Sequence, residues 1–346
     1  MELKTDPLPP GVYRDYAGNT RHPDEWAIIS AHRGSTAHGM YIANTDPNSI
    51  DDLDFMSIVV PPREYYYGLQ EFGSRGTKEI NPSEQSPYDV VIYTAEKFLR
   101  LLAQGNPNVL YLLWLDPEYI LRLTGAGRLI LEARNLFLGK HVYNSFKGYA
   151  EGQRKRMDLG TYSGYMGAKR KALVEKHGYD TKQAAHAIRL LRMGTEMLLL
   201  GRMTVDRRKA GDAEELLSVK RGEMPRDYVL HMIDDEFQRM DLALVDSDLP
   251  AGPPNRVEVS KLAVKVIVTH RLDTAQTRLQ IPEDQHICDN CNAELTTEEL
   301  AHHYPDIPHL WERTSPGFVI PSGECPHCFA LTYPARTVLD TIKACM

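Results

Sequence analysis

The sequence predicts an α+β protein in which a small sheet with helices is followed by a helical bundle and a short C-terminal unit. Three observations carry this. Apolar runs of strand length occur at residues 26–31, 54–60 and 88–93, the size and composition expected of buried strands. From residue 109 to about 250 the apolar residues recur mostly at helical spacing, the mark of amphipathic helices. The tail carries two Cys-x-x-Cys pairs, Cys288 with Cys291 and Cys325 with Cys328, and with this spacing two turns supply four thiolates to tetrahedral Zn2+. The corresponding boundaries are 1–108, 109–250 and 251–346.

A chain of 346 residues exceeds the usual size of one hydrophobic core, so more than one unit is expected. No apolar run reaches the length of a bilayer span. The first residues lack a basic segment followed by an apolar one, so the sequence reads as soluble, without a signal peptide, and cytoplasmic. In a reducing compartment two matched cysteine pairs favour structural zinc over disulfides. A net charge of −7 argues against a surface coated for non-specific DNA binding and leaves room for local basic patches that hold RNA or a triphosphate.

Residues 1–23, rich in Pro, Gly and polar groups, read as an arm. The strand at 26–31 leads into His32-Arg33-Gly34-Ser35-Thr36-Ala37-His38-Gly39, small enough for a tight turn into a helix. Residues 41–50 read as a polar loop, and the strand at 54–60 is stopped by Pro61 and Pro62. After a connection over 63–87, the strand at 88–93 passes into a helix that Thr94 can cap, which ends near Gly105 and Pro107. Further helices are expected at 110–115, 128–138 and 181–200 and over 203–250. A Pro- and Gly-containing linker at 249–254 precedes the Val-rich stretch 257–268, which reads as a strand or hairpin arm.

The Gly34-Ser35 turn can present backbone N–H groups to a phosphate, and Asp52 and Asp54, two apart on a strand, share one face and can share a cation. Asp89 opens the next strand of similar character, so three carboxylates converge if the strands are neighbours. On the helix at 181–200, Ala184, Ala187, Ile188, Leu191 and Leu198 form an apolar stripe, with Lys182, His186, Arg189 and Met193 on the adjoining face. That basic face can meet phosphates. Plainer readings stand beside these: the acids as a solvated turn, Asp89 as a cap, the basic residues paired or packed within the bundle.

In Gly34-Ser35 with Gly39, Asp52-Leu53-Asp54, Asp89-Val90-Val91-Ile92-Tyr93, Lys97 to Leu102, Gly105-Asn106-Pro107-Asn108 and His186 to Gly194, the sequence resembles the DNA polymerase beta superfamily of nucleotidyltransferases. Within it, the sequence is similar to the RNA-ligase-associated proteins. The resemblance covers roughly residues 26–220 and implies a polymerase-beta-like sheet. It implies that Gly34 and Ser35 hold the triphosphate, that Asp52 and Asp54 bind Mg2+ or Mn2+, and that Asp89 completes the site and activates an acceptor hydroxyl. The reaction implied is transfer of NMP from an NTP, ATP among the candidates, to a hydroxyl, with an RNA end in repair or processing as one acceptor. The stretch between Ser35 and Asp52 is longer than the family pattern usually has. A non-catalytic nucleotide or nucleic-acid binding module, or a zinc-held protein-interaction protein, are the alternatives.

Overall fold

The apolar runs form the middle of one sheet. The computed structural model describes residues 26–43, 45–46, 49, 51–73, 79–80, 89–157 and 168–278, with short strands at 285–287, 294–296, 323–324 and 331–332. Contacts divide the chain into two units, Met1–Ile267 and Val268–Met346.

In chain order the first unit comprises β1 (Ala27–His32), α1 (Gly34–Ala37), β2 (Asp54–Val59), α2 (Glu64–Tyr67), β3 (Glu79–Ile80), β4 (Asp89–Thr94), α3 (Ala95–Ala103), α4 (Pro107–Leu110) and β5 (Ile120–Leu123). The helices α5 (Gly125–Glu132), α6 (Val142–Arg156), α7 (Ala168–His177), α8 (Thr181–Leu200), α9 (Arg207–Ala210), α10 (Ala213–Arg221), α11 (Arg226–Asp246) and most of α12 (Arg256–Arg278) follow. The strands run in the order β3-β4-β2-β1-β5. β2 and β4 are parallel and the other neighbours antiparallel.

β1 is buried along its whole length, which is why its sequence does not alternate: apolar residues occupy both faces, with Ser30 and His32 as buried polar exceptions. β2 does alternate: Phe55 and Val59 join a small cluster with Trp26, Phe72, Val90 and Ile92, whereas Met56 and Ile58 belong to the main core. The Ser57 hydroxyl between them meets that of Ser30, its register partner on β1, at 3.0 Å, which satisfies two polar groups in an otherwise apolar layer. Thr94 caps α3 as its sequence position suggests, its Oγ1 accepting from the Lys97 N–H at 3.2 Å.

α8 is the axis of the bundle and has the bounds its periodicity predicts. Ala184, Ala187, Ile188, Leu191 and Leu198 are all buried. A Cβ on Gly194 would lie 3.0 Å from Phe146 Cβ on α6 and 2.7 Å from Met240 Cε on α11, so the close approach of the three helices needs a residue without a side chain there. Arg192 ties α8 to its neighbours through Asp212, Glu215 on α10 and Glu236 on α11.

Three expectations need correction. The stretch 257–268 is not a strand but part of α12: Val259, Leu262, Ala263 and Val266 face the core while Val257 and Val264 are exposed, so the helical period outweighs the β-branched content. The region after residue 109 is not wholly helical, because Ile120–Leu123 forms β5 beside β1. Most of 110–115 is a 3-10 turn, Tyr111–Trp114, following α4.

The second unit holds the end of α12 and two antiparallel pairs, β6 (Gln285–Ile287) with β7 (Glu294–Thr296) and β8 (Gly323–Glu324) with β9 (Leu331–Thr332). Cys288, Cys291, Cys325 and Cys328 lie outside the described residues, as does the arm at 1–23. No described helix is long and apolar enough to cross a membrane.

Candidate active site

The site forms where β1 and β2 meet at one end of the sheet. β1 leaves the sheet at His32, and the Arg33 N–H donates to the Asp54 carbonyl at 2.9 Å, so the start of β2 is fastened to the turn. Gly34 then takes φ +61, the left-handed region that an L side chain enters only at a cost. A Cβ there would stand 1.8 Å from Asp54 Oδ2. Glycine thus lets the chain pass directly against a carboxylate. No side chain caps α1, and the N–H groups of its first turn have no acceptor within the helix.

Asp54 is partly buried and Asp52, two residues earlier, is exposed. Asp89 is the register partner of Asp54 across the parallel β2/β4 pair, and its side chain lies outside the described residues. The backbone therefore brings Gly34, Asp54 and Asp89 to one end of the sheet. Between Gly34 and Asp54, Ile42 and Ser49 are buried, and the Ser49 hydroxyl donates to the Ile42 carbonyl at 2.7 Å.

Asp51, one residue before the exposed Asp52, is fully buried. It accepts from the Ile42 N–H at 2.9 Å, pairs with Lys182 at 3.5 Å and binds the buried Lys220 ammonium, which also donates to the Met40 carbonyl at 2.8 Å. Lys182 thus faces a carboxylate of the loop. Burial pulls Lys220 down to about 8 against the opposing pull of Asp51, so it stays cationic at pH 7.

His186 and Arg189 behave differently. Burial and then Arg189 hold His186 well below the ordinary histidine value, with Arg156, Lys182 and Lys220 adding to the effect. Arg189 donates to His38 Nε2 at 2.7 Å and to Met193 Sδ at 3.2 Å. Tyr111 packs on His38 with ring centroids 5.0 Å apart. Burial drives its hydroxyl pKa upward, with the charges of Arg33, Arg189 and Asp54 acting on it as well. Sequence reasoning missed Tyr111, which sits in an apolar run, and Lys220, which reads as a surface residue. His38 lies within the Gly-Ser stretch and gave that signal alone.

Among the described residues, one group of three carboxylates lies close enough to share a cation: Asp116, Glu118 and Asp206, within 4.8 Å of one another. Lys209 already pairs with Asp116 at 3.0 Å and Glu118 at 3.2 Å, and Arg208 pairs with Asp206. Their charge is largely compensated.

Burial also holds His32 and His38 below 6.5, with Arg189 adding to the effect at His38. A histidine with a depressed folded-state pKa lets the unfolded chain take up protons first, so its stability contribution is complete above about pH 6.5 and lost as pH falls. Asp206 and Asp212 act in a lower window: burial raises them, but the hydrogen bonds from Arg208 and Arg207 outweigh it and hold them below 3.8. Urea denaturation is therefore expected to show stability falling between pH 7 and 5, by at most about 1.4 kcal/mol per pH unit per histidine. The His38→Gln variant should show a shallower slope. Equal stability at both pH values would contradict this.

A mixed sheet flanked by helices, with a Gly-Ser turn against an acid at the strand end, is an α+β fold of the polymerase-beta-like class. The family model described as the RNA repair pathway DNA polymerase beta family, RlaP, matches residues 27–262, and the chain belongs to that family. No curated protein and no solved structure matches it.

Proposed function

We propose that the protein is a metal-dependent nucleotidyltransferase that moves NMP from an NTP to a hydroxyl, with an RNA end as the acceptor. The carrying observation is the placement of Gly34 against the Asp54 carboxylate, with Asp89 in register beside it. The family's description supports a role in RNA repair.

In this reading the N–H groups of the Gly34-Ser35 turn hold the phosphate chain, and α8 supplies the facing side: Lys182 and Arg189 as cations and His186, which burial and Arg189 keep neutral, as a hydrogen-bonding group between them. The donors at Asp52, Asp54 and Asp89 are hard carboxylate oxygens, which suit Mg2+ or Mn2+. Bound there, the metal neutralises triphosphate charge and favours an in-line displacement. Asp89 takes the proton of the acceptor hydroxyl, the hydroxyl oxygen bonds to the α-phosphorus, and the bond to the bridging oxygen breaks as pyrophosphate leaves.

Cys288, Cys291, Cys325 and Cys328 are assigned to structural Zn2+. Each pair falls in the segment between two antiparallel strands, β6–β7 and β8–β9, the arrangement in which turns present thiolates to a metal. A cytoplasmic location accords with reduced thiols.

The test is incubation with labelled NTPs, Mn2+ or Mg2+ and RNAs of mixed ends. Asp52→Asn/Asp54→Asn should lower transfer by about 10^3-fold, because the lost charge acts mainly on the transition state. Transfer that survives in the double variant would refute the assigned acids. Nucleotide binding without transfer to any RNA would favour the non-catalytic module.

A further inference from the structure

Behind the turn and the acids lies a polar knot that the family pattern does not explain. His38, which ends α1, is 3% exposed. Its Nδ1 lies 3.2 Å from the Val205 carbonyl and its Nε2 2.7 Å from Arg189 Nη1. A guanidinium has only donors, so Nε2 must accept, which places the imidazole proton on Nδ1 and directs it to Val205. His38 is then neutral, and burial, followed by the Arg189 charge, keeps it so at pH 7.

Arg189 is consequently oriented without being neutralised. One helical turn away, Arg192 faces Asp212, Glu215 and Glu236, and Arg207 faces Glu196 and Asp212. Among the described residues Arg189 has no carboxylate within ion-pair distance; its acceptors are His38 and Met193. Arg189 is half-buried, and a guanidinium that no carboxylate neutralises keeps its remaining donors for an anion. Two buried hydroxyls also lack partners among the described residues: Tyr111 Oη, on a residue 3% exposed that packs on His38, and Thr36 Oγ1, on a residue 6% exposed just after Gly34-Ser35.

We propose that His38 is a positioning residue, which holds Arg189 in place with its charge intact so that Arg189 and the Tyr111 hydroxyl together receive the phosphate chain seated on the Gly34-Ser35 turn. This rests on the nucleotidyltransferase reading of the site. It adds a role for His38 and Tyr111 that neither the turn nor the acids supply.

Two near-isosteric replacements separate the halves of the contact. The Gln side chain reaches the Nε2 position and can accept from Arg189, whereas Asn reaches only the Nδ1 position and retains the donor to Val205. Calorimetric binding of inorganic tripolyphosphate with Mg2+ by the full chain is expected to weaken about threefold or less in His38→Gln and about tenfold or more in His38→Asn. In an Arg189→Met background the two variants should bind alike, since His38 acts through Arg189. Weaker binding by the Gln variant than by the Asn variant, or the same difference in the Arg189→Met background, would overturn the role of His38 alone. Wild-type protein that binds no tripolyphosphate would overturn the nucleotidyltransferase site as well.

Discussion

Lys220→Met is expected to destabilise the protein by about 3–5 kcal/mol, because it strands a buried carboxylate. The Lys220 side chain is 5% exposed and that of Asp51 0%. With the ammonium gone, Asp51 keeps the Ile42 N–H and the more distant, partly exposed Lys182, too little to compensate a fully desolvated charge. The Met40 carbonyl loses its donor in the same step. Replacing both partners, Asp51→Asn with Lys220→Met, removes the orphaned charge and should recover much of the loss. Urea denaturation of the four proteins gives the cycle, and a Lys220→Met penalty under about 1 kcal/mol would show that the pair contributes little. The effect reaches function through the chain: Asp51 anchors the loop between the Gly34 turn and β2 to α10 and α8.

Much of the sheet was legible because β1, β2 and β4 are buried and announce themselves as apolar runs, and α8 was legible because its buried stripe keeps a helical period over its whole length. β5 was not, since Ile120–Leu123 is a short edge strand with little burial. The stretch 257–268 misled for the opposite reason: its valines have β-branched side chains, but the spacing of those that meet the core is helical. In the site, Gly34 and Asp54 could be read from their pattern. That Asp51 is buried while neighbouring Asp52 is exposed could not, because the choice depends on Lys220, far away in sequence. Likewise the pairing of His38 with Arg189 joins α1 to the middle of the bundle, and no local spacing encodes it.

Gly34→Ala is expected to cut transfer by about 100-fold or more, since displacing a reacting group by about an ångström is enough for such a loss. Two effects combine. A methyl group at φ +61 adds roughly 1–2 kcal/mol of backbone strain. That strain acts on stability. The methyl carbon also falls 1.8 Å from Asp54 Oδ2 and 2.8 Å from its Cγ, so the carboxylate must leave its position, and that acts on the chemistry. Gly39→Ala separates the two, because it imposes a similar strain at φ +66 while its Cβ meets Asp206 Oδ1 at 2.2 Å, away from the assigned acids. Denaturation should find the two variants weakened to a similar degree, whereas transfer per folded molecule should collapse in Gly34→Ala far more than in Gly39→Ala. Equal losses of transfer would mean that the close passage of Gly34 past Asp54 serves folding alone, and the case for a reacting centre at that strand end would fall with it.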